Sequence, residues 1–142
     1  MTELFHLDGR TLVFPADDAA WCQAVLGELE RVLDAYHQPW RGWAHVLARR
    51  VDRDPRVRDE VLAAVRRVRA AWQGELRVDA DLAALDDWYV ALTNAHHLYV
   101  DRATGRLRGP TWTKRGADRQ VFVAWLQFAR HTVAEAGLAA RW

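Results

Sequence analysis

The hydrophobic period of the chain changes at Pro15, and this change limits the fold more than any other feature of the sequence. Before Pro15, residues 4–7 and 11–14 form two short apolar runs around an Asp-Gly pair. Such a pair between β-favouring runs is typical of a β-hairpin. After Pro15, apolar residues recur every three or four positions, as they do on one face of an α-helix. We therefore expect a hairpin followed by helices.

Three helices are predicted between this hairpin and Gly74. The first covers residues 17–37 and ends there because Pro39 disfavours helical geometry in the residue before it. A shorter helix covers residues 40–51. The third begins with the Asp-Pro pair at residues 54–55, a capping residue followed by a proline in the first turn. The apolar stripes of the first and third helices consist of Trp21, Val25, Leu29, Val32 and Tyr36 and of Val57, Val61, Val65, Val68 and Trp72.

The pattern is mixed after Gly74. Residues 75–78 alternate in polarity and form either a short edge strand or a linker. Asp79 or Asp81 then caps a further helix. Within that helix, residues 89–93 also suit a strand, and the sequence leaves both alternatives open.

The last third of the chain predicts a second hairpin near residues 97–108 and a closing helix over residues 117–136. The inward face of that helix is expected to contain Val121, Trp125, Phe128, Ala129 and Val133. The whole chain, residues 1–142, is then a single globular domain of the α+β class. About five helices pack on a small, mostly antiparallel sheet built from the two hairpins.

The chain contains a single cysteine, Cys22, and no serine. One cysteine excludes an internal disulfide and a multi-cysteine zinc site, and its place beside an apolar helix face indicates a small buried side chain. The absence of serine excludes hydrolases that use a serine nucleophile. No apolar run reaches the roughly 18 residues of a membrane span, and no secretion signal is recognisable. We expect a cytoplasmic protein that needs no cofactor and contacts no membrane.

Acidic and basic residues alternate in blocks along the sequence. Residues 1–40 carry a net charge of −5, residues 41–69 of +5, residues 70–101 of −5 and residues 102–142 of +6. Three interpretations remain open: the blocks pair within the fold, the basic segments 41–69 and 102–119 form one anion-binding face, or the charges guide self-association.

An Arg-rich segment around a tryptophan is the candidate site for an anion or nucleic acid. Arginine neutralises phosphates and tryptophan stacks on bases, but no known nucleic-acid motif or phosphate-binding glycine loop is present. A solvated loop is the alternative. The candidate binding residues are Arg102, Arg106, Arg108, Trp112, Lys114, Arg115 and Arg119.

The segment Trp40-Arg41-Gly42-Trp43 is the candidate protein interface. Two indoles three residues apart share a helix face, and Trp and Arg are enriched at the energetic centres of interfaces. Core packing between helices is the alternative explanation for Trp40 and Trp43. The chain has eight tryptophans, which are more than a modest core of this size needs.

The candidates for a metal site are His96 and His97, with Asp86 and Asp87 about ten residues earlier and His45 elsewhere in the chain. The candidates for acid-base chemistry are Asp86, Asp87 or His97 in a cleft. On the predicted strand, adjacent histidines point to opposite faces, so we expect no metal site. Paired carboxylates in a cleft remain a candidate for acid-base chemistry.

The sequence favours a small, non-catalytic binding or protein-interaction domain that acts as a homodimer or with another protein. The first alternative is nucleic-acid or anionic-ligand binding through segments 41–69 and 102–119. The second alternative is a small enzyme with a carboxylate and histidine cleft. No motif identifies a catalytic residue, so an enzyme is not the favoured interpretation.

Overall fold

Three short strands and four helices make up the part of the chain that the computed structural model describes, residues 5–35, 53–99 and 116–141. In chain order these are β1 (His6–Asp8), β2 (Thr11–Val13), α1 (Ala16–Asp34), α2 (Pro55–Ala71), β3 (Arg77–Asp79), α3 (Leu82–Tyr99) and α4 (Gly116–Arg141). The α+β class and the small antiparallel sheet are confirmed. The predicted helix over residues 40–51 lies outside the described residues.

The sheet is antiparallel, in the order β1-β2-β3. The predicted N-terminal hairpin is confirmed, and Gly9 in its turn has a φ of 63°, a conformation that glycine adopts without steric cost. Leu7 pairs with Leu12, which in turn pairs with Val78 of β3. The segment that the sequence left open as strand or linker is therefore the third strand.

The predicted second hairpin is wrong over residues 97–99, which form the last turn of α3. The remainder of that prediction, residues 100–108, lies outside the described residues. Ala91 and Ala95 are fully buried in α3, and α3 packs against α1, α2 and α4. This packing maintains the helix through a segment whose local preference is for strand, because tertiary contacts override weak propensity. Residues 89–93 are helical for the same reason.

An aromatic cluster fills the space between the hairpin and the helices. The ring centroids of Phe14 and Trp72 lie 4.8 Å apart, and those of Trp72 and Trp88 lie 5.2 Å apart. Phe5 joins the cluster 4.8 Å from Phe14, and Trp125 lies 6.0 Å from Phe5. This cluster connects the sheet with α2, α3 and α4 and fixes the position of β3, which follows Trp72 after only four residues.

Candidate functional site

The two adjacent carboxylates predicted for acid-base chemistry belong to separate ion pairs. Asp87 accepts two hydrogen bonds of 2.8 Å from the guanidinium of Arg67 on α2. Asp86 accepts from Arg141 at the end of α4, at 2.7 and 3.0 Å. The two carboxylates therefore point toward different neighbouring helices, Asp87 toward α2 and Asp86 toward α4. They do not form the paired arrangement that acid-base catalysis needs.

The two histidines lie on a helix and not on the predicted strand. His97 is buried and His96 half-buried in α3, and successive residues on a helix point about 100° apart. Within the described ranges, no group of three or more His, Cys, Asp or Glu side chains is arranged to hold a metal ion.

Three arginines in the described part of the basic segment 41–69 pair with acids of neighbouring helices. Arg69 contacts Glu30 at 2.8 Å and Arg66 contacts Asp34 at 3.0 Å, both across the α1–α2 boundary. Arg67 contacts Asp87 of α3, as described above. For these residues the structure favours the first interpretation of the charge pattern, in which acidic and basic blocks pair within the fold.

Gly27 of α1 faces the side chain of Arg69 on α2. Replacing this glycine tests how closely the two helices pack. A β-carbon built at Gly27 would lie 3.5 Å from Nη2 of Arg69, an ordinary van der Waals contact. Gly27→Ala should therefore raise the free energy of unfolding by about 0.5–1 kcal/mol in urea denaturation, because alanine loses less backbone entropy in a helix.

Gly74→Ala is the matched control and should have the opposite sign. Gly74 has a φ of 97°, and a β-carbon there would meet Oε1 of Gln23 at 2.8 Å. A stabilising Gly74→Ala, or a destabilising Gly27→Ala, would contradict this account of the α1–α2 boundary.

The remaining candidate side chains lie outside the part of the chain that the structure describes. Arg119 belongs to α4, but the described side chains of that helix begin after it. Nine further candidates lie outside the described residues: Arg102, Arg106, Arg108, Trp112, Lys114 and Arg115 of the basic segment, and Trp40, Arg41 and Trp43 of the aromatic one. Their proposed roles stay predictions.

The structure adds a site that the sequence did not predict, the outer edge of β3. Phe14 N donates to Leu76 O, and Ala80 N donates to Arg10 O. The backbone groups of Leu76 and Ala80, on either side of β3, therefore point toward β2. Because bonding alternates along an antiparallel strand, Val78 also bonds toward β2. Arg77 and Asp79 direct their N–H and C=O groups away from the sheet. No strand in the described ranges pairs with this edge.

An apolar groove of about 250 Å³ lies directly beside this edge, between α2 and α3. It is lined by Val68, by Trp88 and by Val78 of β3, together with the ion-paired Arg67 and Asp87. We call the outer edge of β3 and this groove together the β3 edge site. Within the described part of the chain, the site combines backbone groups that no other strand pairs with and an apolar surface.

A second apolar groove of about 240 Å³ lies between α3 and α4. Tyr89 and Leu138 line it and are 43% and 57% exposed. Asp86 and Arg141, which form an ion pair, also line this groove, and none of the three described strands adjoins it. It is the alternative contact surface.

Comparison with protein-family models, with curated proteins and with solved structures finds no match to this chain. Among the described residues, none of the helices combines the length and apolar character needed to cross a membrane.

Proposed function

We propose that this chain is a small protein-interaction domain that performs no chemistry of its own and acts as a homodimer. The observation that carries the proposal is the β3 edge site. A free strand edge offers backbone donors and acceptors, and an adjoining groove offers pockets for alternate side chains. Proteins that recognise an added strand use these two features together.

The state of the reactive groups supports a non-catalytic role. Asp86 and Asp87 are each engaged by an arginine, as described above. The thiol of Cys22 is fully buried, and that burial raises its pKa far above the ordinary value, so the thiol stays protonated and unreactive. We place the protein in the cytoplasm, where a lone thiol stays reduced.

A second copy is the partner that the edge itself favours. An exposed edge strand pairs readily with another edge, and natural proteins either cover such edges or block them with repelling charges. β3 carries one positive and one negative residue, Arg77 and Asp79, and so lacks a block of like charge. Two copies of this edge therefore do not repel each other by net charge.

Light scattering on the purified chain tests the proposal. We expect a mass twice that of the 16.3 kDa chain at tens of micromolar protein, with an interface of at least about 1,000 Å² in total. The mass should fall toward that of the monomer on dilution, because dimers dissociate by mass action. A monomer mass throughout the micromolar range would contradict the proposal.

A further inference from the structure

We infer that two copies of the chain pair antiparallel through β3, about a twofold axis that passes between the two Val78 residues. The two three-stranded sheets then join into one continuous six-stranded sheet. This inference rests on the proposed function and identifies how the partner, a second copy, binds at the β3 edge site.

The direction of the backbone groups selects this register. Arg77 and Asp79 point their N–H and C=O groups outward, so these two positions must form the hydrogen-bonded pairs across the interface. A twofold axis at Val78 places Arg77 opposite Asp79 of the partner subunit. By symmetry it also places Asp79 opposite Arg77 of the partner subunit. Both resulting pairs are of the hydrogen-bonded kind, and together they supply four backbone hydrogen bonds.

The charges select the same register. With the axis at Val78, Arg77 lies opposite an aspartate twice in the dimer, and opposite charges across strands stabilise pairing. Moving the axis to Arg77 or to Asp79 also preserves the outward hydrogen bonds. Within β3, however, these shifts place Arg77 or Asp79 opposite its own copy, and like charges directly opposite each other destabilise pairing. An isologous interface must be complementary to itself, and Arg-Val-Asp satisfies this condition only about its central residue.

The groove beside the edge supports the same arrangement. Directly opposite residues on paired strands point to the same face of the sheet. Val78 of the partner subunit therefore lies beside Val78, on the side of the groove lined by Val68 and Trp88. Leu76 immediately precedes β3 and is 49% exposed, and the added strand would cover it. Apolar surface thus continues from the strand edge into the groove.

A charge-exchange experiment tests the register. Arg77→Asp and Asp79→Arg should each weaken the dimer at least about tenfold, because each places like charges opposite each other twice. An equimolar mixture of the two variants should recover the dimer, since the heterodimer has opposite charges at both positions. The double variant R77D/D79R should recover it as a homodimer.

A backbone test complements the charge exchange. Arg77→Pro removes the outward N–H, a change that an edge strand tolerates, and it should abolish the dimer. Arg77→Ala is the matched control, because it removes the same exposed ion pair with Asp8 but keeps the N–H. The alanine variant should remain dimeric. If the proline variant does not fold, the charge-exchange experiment alone tests whether the two copies pair through β3.

The outcomes separate this inference from the proposed function. Single charge variants that remain fully dimeric, or a mixture that stays monomeric, would overturn pairing through β3. The homodimer itself would still stand, and the exposed Tyr89 and Leu138 between α3 and α4 would become its next candidate interface. A monomeric unaltered chain would overturn both. Far-UV circular dichroism spectra that match the spectrum of the unaltered chain would show that the folds of the monomeric variants are intact, because both substituted residues are exposed on β3. Their melting temperatures should be lower, since loss of the dimer removes the stabilisation that association provides.

Discussion

Replacing Trp72 with alanine should lower the free energy of unfolding by about 3–5 kcal/mol, the usual cost of truncating a fully buried large aromatic side chain. Trp72 is 1% exposed and packs against the rings of both Phe14 and Trp88. Its indole N–H also donates to the carbonyl of Glu75 at 2.7 Å. Alanine would leave a cavity between sheet and helices and an unpaired carbonyl in the turn before β3. Urea denaturation followed by circular dichroism measures the loss.

Two further substitutions separate the causes of this effect. Trp72→Phe retains an aromatic ring next to Phe14 but loses the indole donor and some volume, and should cost about 1–2 kcal/mol. Leu138→Ala changes a side chain on α4 that is 57% exposed and lies away from β3, and it should cost less than about 0.5 kcal/mol. If Trp72→Ala and Leu138→Ala had similar costs, the aromatic cluster would not be the centre of the core.

The parts of the fold that are determined by residues close together in the sequence were predicted well. The Asp-Gly turn at residues 8–9 gives the hairpin, and α2 begins at the predicted cap, where the Asp54 side chain accepts from the backbone N–H of Arg56 at 3.1 Å. Asp81 caps α3 in the same way, accepting from Ala84 N at 2.8 Å. In each case the residues that determine the structure lie within a few positions of each other.

Predictions that needed knowledge of distant partners were less successful. His97 belongs to a segment with strand preference, yet it is helical because α3 packs along its length against three other helices. Phe128 was expected on the inward face of α4 but is 43% exposed, whereas Leu126 and Ala129 are fully buried. Periodicity locates an apolar stripe, but the neighbouring helix decides which side of a wide stripe becomes the core.

The β3 edge site could not be predicted because its properties come from topology. The sequence left residues 75–78 open as strand or linker, and nothing local shows that the strand pairs with β2 on only one side. The groove depends on α2 and α3, whose positions are set by contacts such as that of Arg67 with Asp87. One signal was available in the sequence: opposite charges on either side of Val78, a pattern suited to antiparallel self-pairing.

Trp125→Phe should destabilise the protein by about 2 kcal/mol near neutral pH, and the loss should shrink in acid. The indole N–H of Trp125 donates to Oδ2 of Asp18 at 2.6 Å, and hydrogen bonds to charged groups contribute about 1.5–3 kcal/mol. Phenylalanine retains an aromatic ring near Phe5 but leaves the partly buried Asp18 carboxylate without this donor.

The pH dependence follows from the environment of Asp18. Partial burial raises the pKa of its carboxyl above the ordinary value, the hydrogen bond from Trp125 counteracts this, and Asp17 adds a further rise. The folded state therefore binds the proton more tightly than the unfolded chain does. The resulting stability is fully present below the unfolded pKa of about 3.9, and it is lost as the pH rises through the folded pKa. Trp125→Phe removes the counteracting bond, so the folded pKa rises further and more stability is lost over the same range.

Denaturation of Trp125→Phe and the unaltered chain at several pH values between about 3 and 7 measures this difference. The gap between the two proteins should widen as the pH rises, since only the ionised carboxylate needs the indole donor strongly. Asp18→Asn is the matched control, because it has the same shape and cannot ionise. In the Asp18→Asn background, Trp125→Phe should have the same cost at every pH, arising from lost packing and a neutral hydrogen bond. A gap that is independent of pH in the unaltered background would show that Asp18 does not depend on Trp125.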